Sequence, residues 1–164
     1  MREEETESSR LFRAATCEPA LFAQVAADAG ATRAALYVVF GVALAAGIGH
    51  LPAGGLSGLL GGSARWLFAW VVWLLTVHFG ALVLGHPSDL GRLFRSLGYA
   101  SVPFALAAFE WIPLLGALIW LAKWGLGFFA FTTGARQALE LENSSAALLC
   151  AVGLALAALA LHLF

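Results

Sequence analysis

Residues 64–84 read ARWLFAWVVWLLTVHFGALVL, and this stretch decides the fold class. A helix rises about 1.5 Å per residue, so about 20 apolar residues cross the hydrocarbon core of a bilayer. The stretch has that length, its ionisable residues are only Arg65 and His78, and Ser63 before it is a suitable N-cap. It therefore predicts a transmembrane helix.

The composition of the whole chain agrees with this prediction. Of its 164 residues, 61% are hydrophobic and 12% are charged, whereas soluble domains carry about a quarter charged residues. The apolar residues form long runs rather than the short alternating segments of a transmembrane barrel. We expect an all-α, polytopic membrane bundle.

The same length criterion, applied along the chain, predicts five spans. They cover residues 34–48, 64–84, 97–109, 113–133 and 146–164. Pro113 suits the first turn of the fourth span and disfavours helix in the residue before it, which favours a hairpin between spans three and four. A single kinked helix in place of these two spans is the alternative.

Two segments outside the spans carry their own predictions. Residues 1–18 are polar and are expected to form a flexible cytoplasmic tail, and they lack the features of a signal peptide. Residues 19–31 place Leu21, Phe22, Val25 and Ala26 at helical spacing, which predicts a short interfacial helix. An ordinary connector is the alternative. The glycine-rich residues 51–62 are expected to form a permissive loop.

The distribution of arginine predicts the orientation. A cytoplasmic N-terminus places most arginines on the inner side and only Arg65 on the outer side. The C-terminus would then lie outside. The Ala/Gly/Leu/Arg bias suggests a prokaryote, so we expect the cytoplasmic membrane.

Signatures of catalysis and of cofactor binding are missing from the sequence. There is no HExxH, GxSxG, Walker lysine loop or CxxC motif, and no basic patch for nucleic acid. Three histidines, His50, His86 and His162, are too scattered to predict a metal site. Cys17 and Cys150 are expected not to form a disulfide, and lipidation of Cys17 is a minor alternative. We expect no enzyme and no cofactor.

Ionisable residues within spans are the candidate functional residues, because each is costly at mid-bilayer. Lys123 and His78 lie in the fourth and second spans and are expected at similar depth. They would form a polar pathway or a site for a ligand headgroup. The alternative is that Lys123 bonds backbone carbonyls or snorkels, while His78 makes an interhelical hydrogen bond. Arg65 and Glu110 are expected to form an ion pair at the outer face.

Tryptophan and small residues mark packing faces. Trp66, Trp70 and Trp73 share one face of the second span and are expected to be packing or lipid-facing bulk. The last span is rich in alanine and contains Gly153, which suits close helix contact within the bundle or with a partner.

Residues 89–103, DLGRLFRSLGYASVP, resemble the Yip-domain family, the Ypt/Rab-interacting membrane proteins. The Gly98-Tyr99…Pro103 pattern matches a motif of that family, and Ile112-Pro113-Leu114-Leu115-Gly116 is similar to its break between the third and fourth spans. The resemblance covers residues 19–164. It implies structural roles for these residues, with Tyr99 as an interfacial anchor and Pro103 as a kink.

The resemblance also implies a non-catalytic protein that assembles with itself or with other membrane proteins and has a membrane-organisation role. Membrane lipids are expected neighbours. A Rab-type GTPase partner is not expected, because the cytoplasmic arm is short and a prokaryote has no Rab system. The alternative is a small transporter or lipid-binding permease with a polar interior around His78 and Lys123.

Overall fold

The structure is a computed structural model that describes residues 6–162, with the side chain of His162 left out. The described chain is all-helical and contains no β-strand. Its helices are α1 Glu7–Ala15, α2 Pro19–Ala27, α3 Thr32–Val83, α4 Leu90–Ala100, α5 Gly116–Leu139 and α6 Asn143–His162, with short 3₁₀ segments at Ala29–Ala31 and Val102–Phe109. The all-α prediction is confirmed.

Helix α3 is a hairpin of two arms, residues 32–54 and 56–83. The arms meet at Gly55, whose φ of 56° and ψ of −143° reverse the chain. Beyond the turn the arms touch, because a methyl group on Gly62 would press against Gly47 and the His50 ring. The glycine-rich residues 51–62 therefore differ from the predicted loop: they are helical on both sides of one glycine.

The segment predicted as the third span is divided into two helices. Asp89 caps α4 by accepting a hydrogen bond from the Arg92 backbone N–H at 2.9 Å. The α-helix ends at Ala100 and the chain continues as the 3₁₀ segment Val102–Phe109. Pro103 explains the break, since it has no N–H to donate and restricts the residue before it.

A tight turn at residues 110–115 reverses the chain into α5. Leu114 takes a φ of 68° there, and α5 begins at Gly116 rather than at Pro113. Gly134 packs near Ser96 and Leu97, and Gly127 packs near Phe104, so α5 runs back antiparallel to α4 and the 3₁₀ segment. The hairpin prediction describes this region and the single kinked helix does not.

The amino-terminal helices pack onto the bundle. Leu21, Phe22, Val25 and Ala26 of α2 are all fully buried, mainly against α4 and α5. Helix α1 is held by ion pairs from Arg10 to Asp28 and from Arg13 to Glu18, and by Tyr99. Residues 7–15 are thus folded and differ from the predicted flexible tail, whose first five residues lie outside the described part. The four apolar residues of α2 therefore pack against other helices and do not lie at the membrane surface, where the sequence predicted them.

Helix α6 runs antiparallel to the second arm of α3. Gly153 lies against the Trp73 ring, and Gly80 of the second arm lies against Leu149. By length and composition, two helices in the described chain are apolar enough to cross a membrane, Ala29–Val83 and Asn143–Leu161. The first of these contains both arms of the α3 hairpin.

The bundle has two ends, which serve as reference points below. The hairpin end contains the Gly55 turn and the turn at residues 110–115. The opposite end contains the connections at residues 84–89 and 140–142.

Candidate functional site

Lys123 and Glu110 form an ion pair near the hairpin end. The Lys123 Nζ lies 2.6 Å from Glu110 Oε1, and the two side chains are 12% and 22% exposed. The same Nζ is 5.4 Å from the centre of the Trp124 ring. Lys123, which was expected to line a polar pathway, to bond backbone carbonyls or to snorkel, is instead paired with a carboxylate from the turn before its own helix.

This pair differs from the ion pair that the sequence predicted for Glu110. Arg65 is exposed and makes no ion pair within residues 6–162, so the predicted Arg65–Glu110 pair is corrected to Lys123–Glu110. His78 instead contacts the connection after α3, with its Nδ1 2.7 Å from Ser88 Oγ. Its role in the structure is to fasten that connection to the helix.

His78 and Lys123 are also far apart along the bundle. The ring centres of Trp73 and Phe131 lie 4.2 Å apart, so these two residues are at the same level along the bundle, one in the second arm and one in α5. His78 is five residues beyond that level and Lys123 eight residues before it, which separates them by about 20 Å along parallel helices. The expectation of similar depth is wrong, and these residues line no common path.

The tryptophan face of the second arm points into the bundle. Trp70 and Trp73 are 5% and 4% exposed. Both are packing residues, one of the two alternatives that the sequence left open. The Trp70 indole N–H donates to Ser101 Oγ at 3.0 Å, which joins the arm to the end of α4.

Phe104, in the 3₁₀ segment, is the centre of an aromatic cluster. Its ring contacts four others at centroid distances of 5.4 to 6.4 Å, those of Trp66, Trp73, Trp124 and Phe131. A side chain on Gly127 would overlap the Phe104 ring, so this glycine is what allows α5 to approach. Several of these contacts are edge-to-face, an arrangement that aromatic pairs prefer.

A cavity of about 120 Å³ lies between this cluster and α6. It is lined by aromatic rings of the second arm, the 3₁₀ segment and α5, and by Leu154, Ala157, Ala158 and Leu161 of α6. The indole nitrogens of Trp73 and Trp124 are buried and have no hydrogen-bond partner in the described chain. We call this space the aromatic cavity. The spacing of Trp66, Trp70 and Trp73 predicted that they share one face. It could not show that Phe104 and Trp124, from distant segments, complete the walls of the cavity.

The family-motif residues have structural positions. Gly98 lies against Ala35 of α3, where a side chain would be tight. Tyr99 is fully buried and its hydroxyl donates to Glu7 Oε2 at 2.8 Å. It therefore fastens α1 to the bundle and is not an interfacial anchor. Pro103 is buried at the start of the 3₁₀ segment, and Pro113 lies in the turn before α5.

Contacts of α2 and Cys17 show why the amino-terminal helices are part of the fold. Arg95 donates from Nε to the Val25 carbonyl at 3.1 Å and from its guanidinium to the Ala26 carbonyl. Cys17 is 5% exposed, with Sγ 3.8 Å from the Leu126 carbonyl. Burial raises the pKa of the Cys17 thiol, which makes it a poor nucleophile and a poor acceptor for a lipid.

Residues 6–162 contain few groups of side chains that could bind a metal ion or carry out catalysis. No group of three His, Cys, Asp or Glu side chains there could hold a metal ion. In comparisons with known proteins, no family model, no curated protein and no solved structure matches the chain. The features that define the site are therefore the Lys123–Glu110 pair and the aromatic cavity beside it.

Proposed function

We propose that this chain is a five-span integral membrane protein, and the observation that carries the proposal is the apolar character of its outward surface. Large hydrophobic side chains are exposed on both arms of α3, on α5 and on α6, among them Phe40, Leu44, Phe79, Leu121, Phe129, Leu148, Leu156 and Leu159. Water-soluble monomers rarely expose contiguous apolar surface on this scale. Lipid chains are the solvent that suits such faces.

The spans would be the two arms of α3, the combined segment from α4 to Phe109, α5 and α6. The α4 helix has 11 residues and the 3₁₀ segment has 8, which gives a combined length of about 32 Å. The hydrocarbon core is about 30 Å thick. A 3₁₀ segment is compatible with this depth because it packs against α3 and α5, and only Phe109 at its end is exposed.

The function that fits best is non-catalytic: the protein acts through what its surfaces contact in the membrane, which are lipids, further copies of itself or other membrane proteins. Gly153 and Ala157 of α6 are buried within the bundle, so a partner would contact the opposite, exposed face with Leu148, Val152 and Leu156. The resemblance to Yip-domain proteins supports a role in membrane organisation.

The transporter alternative requires a polar interior that joins His78 and Lys123. Their separation of about 20 Å and their separate partners, Ser88 and Glu110, argue against that path. The lipid-binding part of the alternative has its own support in the aromatic cavity, one of whose walls is the Trp124 ring that Lys123 contacts.

The experiment has two stages. Alkaline carbonate washing should leave the protein in the membrane pellet, and its release into the supernatant would contradict integral insertion. Extraction into polymer nanodiscs followed by native mass spectrometry should then show a second copy or another membrane protein in fixed proportion. Monomers free of any protein partner would contradict the assembly role. Leu156→Arg should separate that complex, while Leu121→Arg on α5 serves as a matched lipid-facing control.

A further inference from the structure

The aromatic cavity has the properties of a binding site for an apolar molecule. Its volume of about 120 Å³ far exceeds the space that one water requires, yet its walls are almost wholly apolar. Buried indole N–H groups usually have a hydrogen-bond acceptor. Those of Trp73, which is 4% exposed, and Trp124 have none in residues 6–162. A molecule that is apolar and carries acceptor oxygens would match both the walls and these donors.

The entrance to the cavity adds a positive charge. A surface groove lined by Ala64, Arg65, Phe68 and Leu161 adjoins the cavity, and Leu161 belongs to the walls of both. Arg65 is exposed and makes no ion pair with any residue in the described chain. A guanidinium that meets no carboxylate of residues 6–162, at the mouth of an apolar cavity, suits a phosphate group.

We propose that the aromatic cavity and Arg65 bind an anionic glycerophospholipid, with one acyl chain in the cavity, an ester oxygen accepting from an indole N–H, and the phosphate on Arg65. The inference rests on the proposed membrane location, since the groove must open toward lipid. Helix spacing supports the arrangement: Trp66, beside Arg65, and Trp73 are about 10 Å apart along the second arm. The cavity thus extends from the charged mouth toward the ring of Trp73.

Other occupants fit less well. A hydrocarbon would leave both indole donors unpaired, and inorganic phosphate would leave the apolar walls unfilled. A helix from another protein is about 10 Å wide with its side chains and is too large for the cavity. A diacyl phospholipid meets all three requirements: its acyl chain contacts the apolar walls, its ester oxygen accepts from an indole N–H, and its phosphate pairs with Arg65.

The test uses nanodiscs that contain equal amounts of phosphatidylglycerol and phosphatidylcholine with the same acyl chains. The full-length protein is recovered from them in mild detergent, washed, and its retained lipids are quantified by mass spectrometry. We expect phosphatidylglycerol to be enriched about fivefold, the preference that one arginine near a surface provides. Arg65→Gln should return the ratio to about one. Arg33→Gln, another exposed arginine outside the groove, should retain the enrichment.

A second pair of variants tests the cavity itself. Trp73→Phe combined with Trp124→Phe keeps aromatic rings and removes both donors, so total retained lipid should fall at least about fivefold. Trp111→Phe, in the exposed turn, is the control. Should the double variant not fold, Ala158→Phe at an exposed lining position fills the cavity mouth and should lower retained lipid likewise.

Three results would overturn the proposal: wild-type protein that retains no lipid, retained lipids in equal proportion, or an Arg65→Gln variant with undiminished enrichment. If the membrane proposal itself is wrong, the protein will not enter nanodiscs at all, and this result is distinct from the three above.

Discussion

Replacing Lys123 by methionine is the sharpest perturbation of this bundle, because it leaves the Glu110 carboxylate without its ammonium partner. Removing one member of a buried ion pair costs about 3–5 kcal/mol. Glu110 retains 22% exposure, so we expect the lower part of that range, about 3 kcal/mol. Methionine fills a similar volume, which keeps the packing loss small.

Thermal unfolding in mild detergent measures the effect. A change of 1 kcal/mol lowers the midpoint by about 2–4 °C in a chain of this size, so Lys123→Met should lower it by about 6–12 °C. The double variant Lys123→Met, Glu110→Gln should recover most of that loss, since it removes the orphaned charge. Arg33→Gln, at an exposed residue with no ion pair in the described chain and outside the groove, should leave the midpoint unchanged.

An unchanged midpoint for Lys123→Met would refute the ion pair. A double variant as unstable as the single one would show that the loss comes from packing. A loss in Arg65→Gln that the Glu110 substitution reproduces would restore the Arg65–Glu110 pair expected from the sequence.

Three further predictions concern packing and access. Gly153→Ala should destabilise the protein by about 1–3 kcal/mol in the same unfolding assay, because its methyl group would overlap an indole ring, whereas Gly125→Ala has open space and should stabilise the helix slightly. Tyr99→Phe should leave the Glu7 carboxylate without its buried donor and speed proteolytic removal of α1, and equal digestion rates would contradict that contact. Cys17 should react with a maleimide only after denaturation and should incorporate no palmitate in metabolic labelling, and rapid labelling of the folded protein would show that the thiol is accessible.

The apolar runs of the sequence predicted helical elements at most of the places where the structure has them. In an apolar solvent the backbone N–H and C=O groups of a long apolar stretch can be paired within that stretch only by a helix. Residues 64–84 and 146–164 therefore indicated helices clearly. The turn at residues 110–115 was also predictable, because Pro113 restricts the residue before it. Helix boundaries were less so: a single glycine at position 55 reverses α3 where a twelve-residue loop was expected.

The site could not be predicted in full because it depends on contacts between distant segments. Glu110 had two basic residues within plausible reach, and only the path of the turn selects Lys123. The face containing Trp73 was visible as a helical repeat, but Phe104 joins it from a 3₁₀ segment. Burial of Tyr99 depends on α1, whose charged residues indicated a free tail.

The most direct test of the membrane account is the side of the membrane reached by two connections, the one at residues 84–89 and the turn at residues 110–115. Single cysteines at Pro87 and Leu114, both exposed positions, are introduced into a chain lacking Cys17 and Cys150 and treated with an impermeant maleimide. We expect Leu114→Cys to be labelled on intact cells and Pro87→Cys only after permeabilisation. Labelling of both from the same side would show that residues 89–110 do not cross, and would contradict the five-span bundle.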